Sequence, residues 1–153
     1  MDRERKLAKS QIGALYHRLK GVPLERCFYC GAPRQSLDHC PPLSVAYKMS
    51  PAELRKRDVA LYLVPSCMDC NSLLGARKWG TPWERLNGIY HILQAKIDKE
   101  YHGWTKDDLE ELGPGLREYI QNRAYHVNFL IEKLRGVEDN MLRYDPDRDV
   151  SEA

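Results

Sequence analysis

Hydrophobic positions in the first half of the chain predict short elements of both kinds. From Arg3 to Leu19 the apolar residues recur every three or four positions, which is the spacing of an amphipathic helix. Ser50, followed three residues later by Glu53, forms a capping box that predicts a short helix extending to Arg57. The apolar and partly β-branched run from Val59 to Val64 predicts a strand.

The second half is patterned almost entirely for helices. A capping box at Thr81 precedes an apolar stripe of about five turns that continues to Tyr101. A short helix is predicted over residues 105–112, and a Gly-Pro-Gly segment separates it from a long helix over residues 116–136. We expect both long stripes to pack in the core. Residues 137–153 are acidic and poor in apolar residues, which predicts a frayed tail.

These elements predict a mostly helical α+β protein that forms one compact domain. The chain has 153 residues, of which 42% are hydrophobic and 30% are charged, as in ordinary globular domains. We expect four segments: an N-terminal helix (1–22), a metal-bound core (23–80), a C-terminal helical region (81–136) and an acidic tail (137–153).

The hydrophobic runs are too short for a membrane protein. The longest continuous apolar run, Val59 to Pro65, has 7 residues, whereas a spanning helix needs about 20. The charged N-terminus is not followed by an apolar stretch of the kind found in secretory signals. We therefore expect a cytoplasmic protein, in a bacterial host, whose thiols are kept reduced.

Reduced cysteines arranged in pairs are typical of metal sites. Cys27 and Cys30 form one C-x2-C pair, Cys67 and Cys70 form another, and 36 residues separate the two pairs. Four thiolates can complete the tetrahedral shell of one structural Zn²⁺ and leave no open position for catalysis. A redox pair or buried unliganded thiols are the competing interpretations. Cys40 belongs to neither pair and is interpreted as a small buried hydrophobic residue.

The net charge of +2 hides a strong asymmetry along the chain. Residues 1–80 contain 14 Lys and Arg against 7 Asp and Glu, and residues 81–153 contain 10 against 15. The basic half also contains all the cysteines, so the positive charge is concentrated on the predicted metal-bound module. Such a module is suited to bind a polyanion such as DNA. A solvated surface with chance clustering is the alternative.

Motifs beside the cysteine pairs point to chemistry. The run Asp38-His39-Cys40-Pro41-Pro42-Leu43-Ser44 follows the first pair, and Asn71 directly follows Cys70. This order resembles the HNH endonucleases whose ββα-metal motif is clamped by a zinc knuckle. The match covers Cys27 to Gly75, about a third of the chain. The resemblance implies a zinc-clamped, treble-clef-like ββα-metal core with an N-terminal helix and a C-terminal helical pair.

Within that family the resemblance assigns a role to each motif residue. It implies that His39 is the general base and that Asp38 and Asn71 hold one catalytic Mg²⁺ or Mn²⁺. Hydrolysis of a phosphodiester needs a base that is neutral near pH 7 and a hard cation with oxygen ligands. Adjacent side chains on a strand point to opposite faces, so we expect a bend after His39.

The chain departs from the family pattern at Tyr62, where the family usually has Asn. Either the Tyr62 hydroxyl takes over the support of the His39 loop, or the motif is partly degenerate and only binds. The alternative function is therefore a non-catalytic zinc module that binds nucleic acid or a protein partner. A purely structural zinc protein would leave Asp38 and His39 unexplained.

Basic residues near the motif are candidates for contacts with DNA phosphates. The insertion between His39 and Tyr62 contains Arg55, Lys56 and Arg57, and the motif is followed by Arg77 and Lys78. Solvated basic turns are the ordinary alternative. In size and trailing helices the chain also resembles small HNH proteins of phages and bacterial mobile elements, including phage recombination endonucleases. A homodimer or a phage or bacterial protein partner is compatible with that resemblance.

Overall fold

The protein is a mixed α+β structure built on a small three-stranded sheet. The computed structural model describes residues 3, 11–56, 60–75, 77, 79–100 and 105–144. The strands are β1 (His17–Arg18), β2 (Ser36–Cys40) and β3 (Tyr62–Ser66), in the spatial order β1-β3-β2. The β2 strand pairs antiparallel with β3, and β1 pairs parallel with β3.

Helices make up most of the described chain. They are α1 (Leu43–Ala46), α2 (Pro51–Lys56), α3 (Met68–Leu74), α4 (Pro82–Glu100), α5 (Lys106–Glu110) and α6 (Pro114–Arg143). The described part of the expected insertion between β2 and β3 contains α1 and α2. Among the described helices, none combines the length and the apolar character that crossing a membrane requires.

The capping signals in the sequence correctly mark where three helices begin. The backbone amide of Glu53 donates to Ser50 Oγ at 3.1 Å, ahead of α2. At α4 the amide of Glu84 donates to Thr81 Oγ1, also at 3.1 Å. At α5 the side chain and backbone of Thr105 exchange hydrogen bonds with Asp108 in a complete capping box.

The predicted N-terminal helix does not extend to Leu19. Residues 11–13 are helical, but His17 and Arg18 form β1 instead. The backbone amide of His17 donates to Leu61 O and that of Leu19 donates to Leu63 O, each at 3.1 Å. The helical pattern of the sequence is overridden because this segment satisfies the otherwise open edge of β3. Of residues 1–10, only residue 3 is described.

The predicted strand is shifted toward the C-terminus. It begins at Tyr62 and runs through Pro65 to Ser66, and Val59 lies outside the described residues. A proline fits here because β1 pairs only with Tyr62 and Leu63, so no strand on that side needs an amide from Pro65.

The last helix continues past Gly136, so the predicted helix end is wrong. A Cβ atom at Gly136 would lie 2.1 Å from the carbonyl oxygen of Cys30. This glycine therefore permits a close approach of α6 to the first cysteine pair and does not terminate the helix. Val137 and Asn140 are buried beyond it, and α6 ends at Arg143. Residues 145–153 of the predicted acidic tail lie outside the described part of the chain.

The apolar stripe of α6 is buried only from Val127 onward. Val127, Leu130 and Val137 are buried, whereas Leu116 and Tyr119 are 52% and 55% exposed. The expectation that the whole stripe faces the core is therefore wrong for the first turns of this helix.

The two faces of the sheet carry separate hydrophobic clusters. The larger cluster contains the paired cysteines, Val64 of β3, and residues of α3, α4 and α6. The smaller cluster, on the other side, joins Ile12 and Tyr16 to Ala46, Leu54 and Leu61. The strand β2 lies between these clusters and carries the motif residues.

Candidate metal centre and surrounding site

The paired cysteines come together as predicted. The Sγ atoms of Cys27, Cys30, Cys67 and Cys70 all lie within 4.8 Å of one another. The Cys30 and Cys67 sulfurs are 3.7 Å apart, which is close to the edge of about 3.8 Å in a tetrahedron with Zn–S bonds of about 2.3 Å. The four thiols therefore suit a structural metal ion such as Zn²⁺.

Local structure positions each cysteine pair. The turn after Cys27 is closed by a 2.9 Å hydrogen bond from the Gly31 amide to Cys27 O, with Gly31 at a φ of 80°. Cys67 is the N-cap residue of α3, and its Sγ accepts the amide of Cys70 at 3.4 Å. The metal centre thus ties the turn before β2 to the start of α3.

Cys40 is separate from the four clustered thiols, in agreement with its interpretation as a small buried residue. Its side chain is fully buried, and its Sγ lies 3.5 Å from the Tyr29 hydroxyl. Burial, together with the nearby Asp38 carboxylate, raises the pKa of the Cys40 thiol to about 12. This thiol is neutral at pH 7 and lies outside the four-thiol cluster.

The motif residues Asp38 and His39 lie on β2, and the bend expected after His39 comes at Pro41, directly after the strand ends at Cys40. The strand continues to Cys40, with Asp38 paired to Val64 and His39 paired to Leu63. Their side chains therefore point to opposite faces of the sheet. Because β2 is an edge strand among the described strands, both side chains border the same free edge.

The Asp38 carboxylate is held by a buried arginine. Arg85 Nε lies 2.9 Å from Asp38 Oδ2 and Arg85 Nη2 lies 3.2 Å from Oδ1, while Tyr29 also donates to Oδ2. The side chains of Arg85 and Asp38 are 0% and 7% exposed. Burial lowers the pKa of Arg85 and the Asp38 carboxylate raises it, with a net upward shift that keeps the arginine charged.

Arg85 was not identified from the sequence. It also donates to the carbonyl oxygens of Gly75 and Arg77, so it fixes the turn that follows α3. The sequence feature that could have identified Arg85 is its position four residues before Ile89, which places it on the buried side of α4. A charged residue at such a position needs a buried partner of opposite charge.

Asn71 lies in α3 and reaches β2. Its Nδ2 atom is 3.4 Å from Ser36 Oγ, and Ser36 is on the same face of β2 as Asp38 because the two are two residues apart. The Asn71 amide oxygen accepts no hydrogen bond from any residue that the structure describes. The structure therefore brings Asn71 to the face of β2 that carries Asp38.

His39 contacts a different tyrosine from the one predicted. The ring of Tyr16 lies edge-on to His39, with centroids 4.8 Å apart, whereas the Tyr62 ring contacts His17 at 4.9 Å. Within the described residues the Tyr62 hydroxyl makes no hydrogen bond, so it does not support His39 directly. Burial lowers the pKa of His39, which keeps the imidazole neutral at pH 7.

The candidate DNA-contacting residues are spread over two places. Arg55 and Lys56 are exposed on α2, and Arg77 is exposed after α3, with its Cζ 5.7 Å from the centre of the Trp79 ring. Arg57 and Lys78 lie outside the described residues. The side chains of Arg55, Lys56 and Arg77 are thus exposed to solvent.

Comparisons of the chain with models of protein families, with curated proteins and with solved structures give no match. The candidate functional residues that the structure places near one another are the four clustered thiols, the Asp38-His39 pair on β2 and the neighbouring Asn71.

The ion pair between Asp38 and Arg85 gives a direct stability prediction. Replacing Arg85 by Met should lower the free energy of unfolding by about 3 kcal/mol, because it leaves a buried carboxylate without its charged partner. The double variant Asp38→Asn, Arg85→Met should recover part of this loss. Urea unfolding of the wild type, Arg85→Met, Asp38→Asn and the double variant measures the coupling. A loss of less than about 1 kcal/mol in Arg85→Met would show that the pair is not structural.

Proposed function

We propose that this protein is a metal-dependent nuclease of the HNH type that hydrolyses phosphodiester bonds in DNA. The observation that carries the proposal is the position of Asn71 against β2, on the face that carries Asp38. The four cysteines maintain this position because they fasten the start of α3 to the turn before β2. An antiparallel pair of strands followed by a helix is the order of elements that a ββα-metal site requires, and β2, β3 and α3 have this order.

In this proposal each motif residue has one task. Asp38 and Asn71 supply oxygen ligands of the kind that Mg²⁺ and Mn²⁺ prefer. The bound cation would stabilise negative charge on the scissile phosphate. His39 accepts a proton from the attacking water, a role that suits a half-buried imidazole that is neutral at pH 7. The Tyr16 ring lies edge-on to the imidazole and restricts its movement.

DNA is the substrate that best fits the charge distribution. The excess of basic residues lies in residues 1–80, which also contain the strand and helix of the proposed site. Exposed Arg77 lies three residues after the end of α3, and its guanidinium group is over the Trp79 ring, a combination suited to a phosphate backbone and bases.

The second candidate function is a zinc module that binds nucleic acid without cutting it. The observation in its favour is the bidentate contact of Arg85 with both Asp38 oxygens. A carboxylate engaged in this way has less capacity to bind a cation. In this candidate, Asp38 and Arg85 serve only to join β2 to α4.

A plasmid assay separates the two candidates. Zinc-loaded protein is incubated with supercoiled plasmid and with branched DNA in Mg²⁺, in Mn²⁺ or in EDTA. The nuclease proposal predicts nicked or linear products with either cation and none with EDTA. Folded protein that retains the DNA in a binding assay but leaves it intact with both cations would favour the binding module.

A further inference from the structure

One face of α6 meets the metal centre directly. Lys133, Gly136 and Asn140 are spaced three and four residues apart, so they lie on the same side of the helix. All three contact the segment that carries the first cysteine pair. These residues lie more than 60 positions after the last cysteine of the centre, and the sequence motifs did not identify them.

Lys133 places a positive charge against the thiols. Its Nζ atom is 3.4 Å from Cys30 Sγ and 3.3 Å from Cys67 Sγ, and the residue is only 8% exposed. A Zn²⁺ ion bound by four thiolates retains two net negative charges. A buried ammonium group in contact with two of the sulfurs offsets part of that charge through N–H···S hydrogen bonds.

Gly136 and Asn140 hold the backbone of the same turn. The absence of a side chain at Gly136 allows the carbonyl of Cys30 to touch the helix. Asn140 Nδ2 donates to Phe28 O at 3.0 Å and to Cys27 O at 3.4 Å. The first cysteine turn is therefore enclosed by α6 as well as by its own metal ligands.

We propose that Lys133, Gly136 and Asn140 form an outer shell of the metal site that couples metal affinity to the docking of α6. A metal ion that orders the four thiols stabilises the surface on which α6 packs. The docked helix in turn stabilises the charge and the geometry of the metal-bound state. This coupling is reciprocal. The factor by which the bound metal strengthens docking of α6 equals the factor by which docked α6 strengthens metal binding, so a variant that disturbs α6 must weaken metal binding. The inference depends on the cysteine centre and is independent of nuclease activity.

Zinc affinity of Lys133 variants tests the charge contact. Competition with a chromophoric chelator should give a zinc dissociation constant about 10 to 100 times higher for Lys133→Met, the usual effect of removing an outer-shell contact. Lys133→Arg, which keeps the charge, should recover part of the affinity. The matched control is Arg135→Met, which removes an exposed charge from the same helix and should leave the affinity unchanged.

A second pair of variants tests the docking contact without changing any charge. Gly136→Ala introduces a Cβ against Cys30 O and should raise the zinc dissociation constant about tenfold. Gly115→Ala is the control, because a Cβ at that position of α6 meets no atom within 4 Å. Zinc affinities of Lys133→Met and Gly136→Ala within twofold of the wild type would overturn the proposal. Weakened binding in both variants, with both controls unaffected, would support it.

Discussion

Replacing Cys67 by serine is expected to release the structural metal and to remove several kcal/mol of stability. Cys67 is a member of the thiol cluster, the N-cap residue of α3 and a contact of Lys133. Loss of one thiolate opens the tetrahedral shell, and the free energy of metal binding in such small sites is largely folding free energy. Elemental analysis and thermal unfolding measure the two effects.

Cys40 provides the matched control for this prediction. Its thiol is buried but lies outside the cluster, so Cys40→Ala should keep one zinc per chain. The cavity left by the missing sulfur should cost only about 1 to 2 kcal/mol. Retention of zinc and of the wild-type melting temperature in Cys67→Ser would contradict the assignment of the four thiols as a metal centre.

Replacing His39 by alanine is expected to lower the rate of metal-dependent DNA cleavage by about 10² to 10⁴. The reason is that no base remains to accept the proton of the attacking water. Zinc content and DNA binding should stay near wild type, since His39 is not one of the four clustered thiols or of the exposed basic residues, and its ring contacts Tyr16. Single-turnover rates, zinc analysis and a DNA-binding titration check these three expectations.

His17 is a suitable control histidine for the cleavage assay. It is exposed on β1, and its ring contacts Tyr62 rather than His39. His17→Ala should therefore cut DNA at close to the wild-type rate. Equal rates for His39→Ala and the wild type would show that His39 is not the base.

The features that the sequence predicted correctly depend on local patterns. Capping residues such as Ser50, Thr81 and Thr105 act within one helical turn, so they mark helix starts wherever the helix packs. The two C-x2-C turns likewise form metal-binding geometry from four neighbouring residues each. The mixed α+β class and the metal-competent cysteine cluster follow from such signals.

The features that the sequence did not predict depend on contacts between distant segments. The strand β1 forms because β3 has an open edge, and Gly136 lies inside a helix because Cys30 passes against it. Arg85 and Lys133 are both charged residues on apolar stripes. The partner of Arg85 is 47 positions away in the sequence, and the two partners of Lys133 are 66 and 103 positions away. Periodicity shows that such positions are buried but does not identify the group that neutralises them.

The Mg²⁺ dependence of single-turnover DNA cleavage tests the nuclease proposal most directly. Zinc-loaded wild-type protein should cut with a rate that rises and saturates with Mg²⁺. Asn71→Ala, which removes the amide side chain whose Nδ2 atom lies against Ser36 of β2, should need at least about ten times more Mg²⁺ for the same rate. Intact DNA at every Mg²⁺ concentration, from wild-type protein that is folded and fully loaded with zinc, would contradict the proposal.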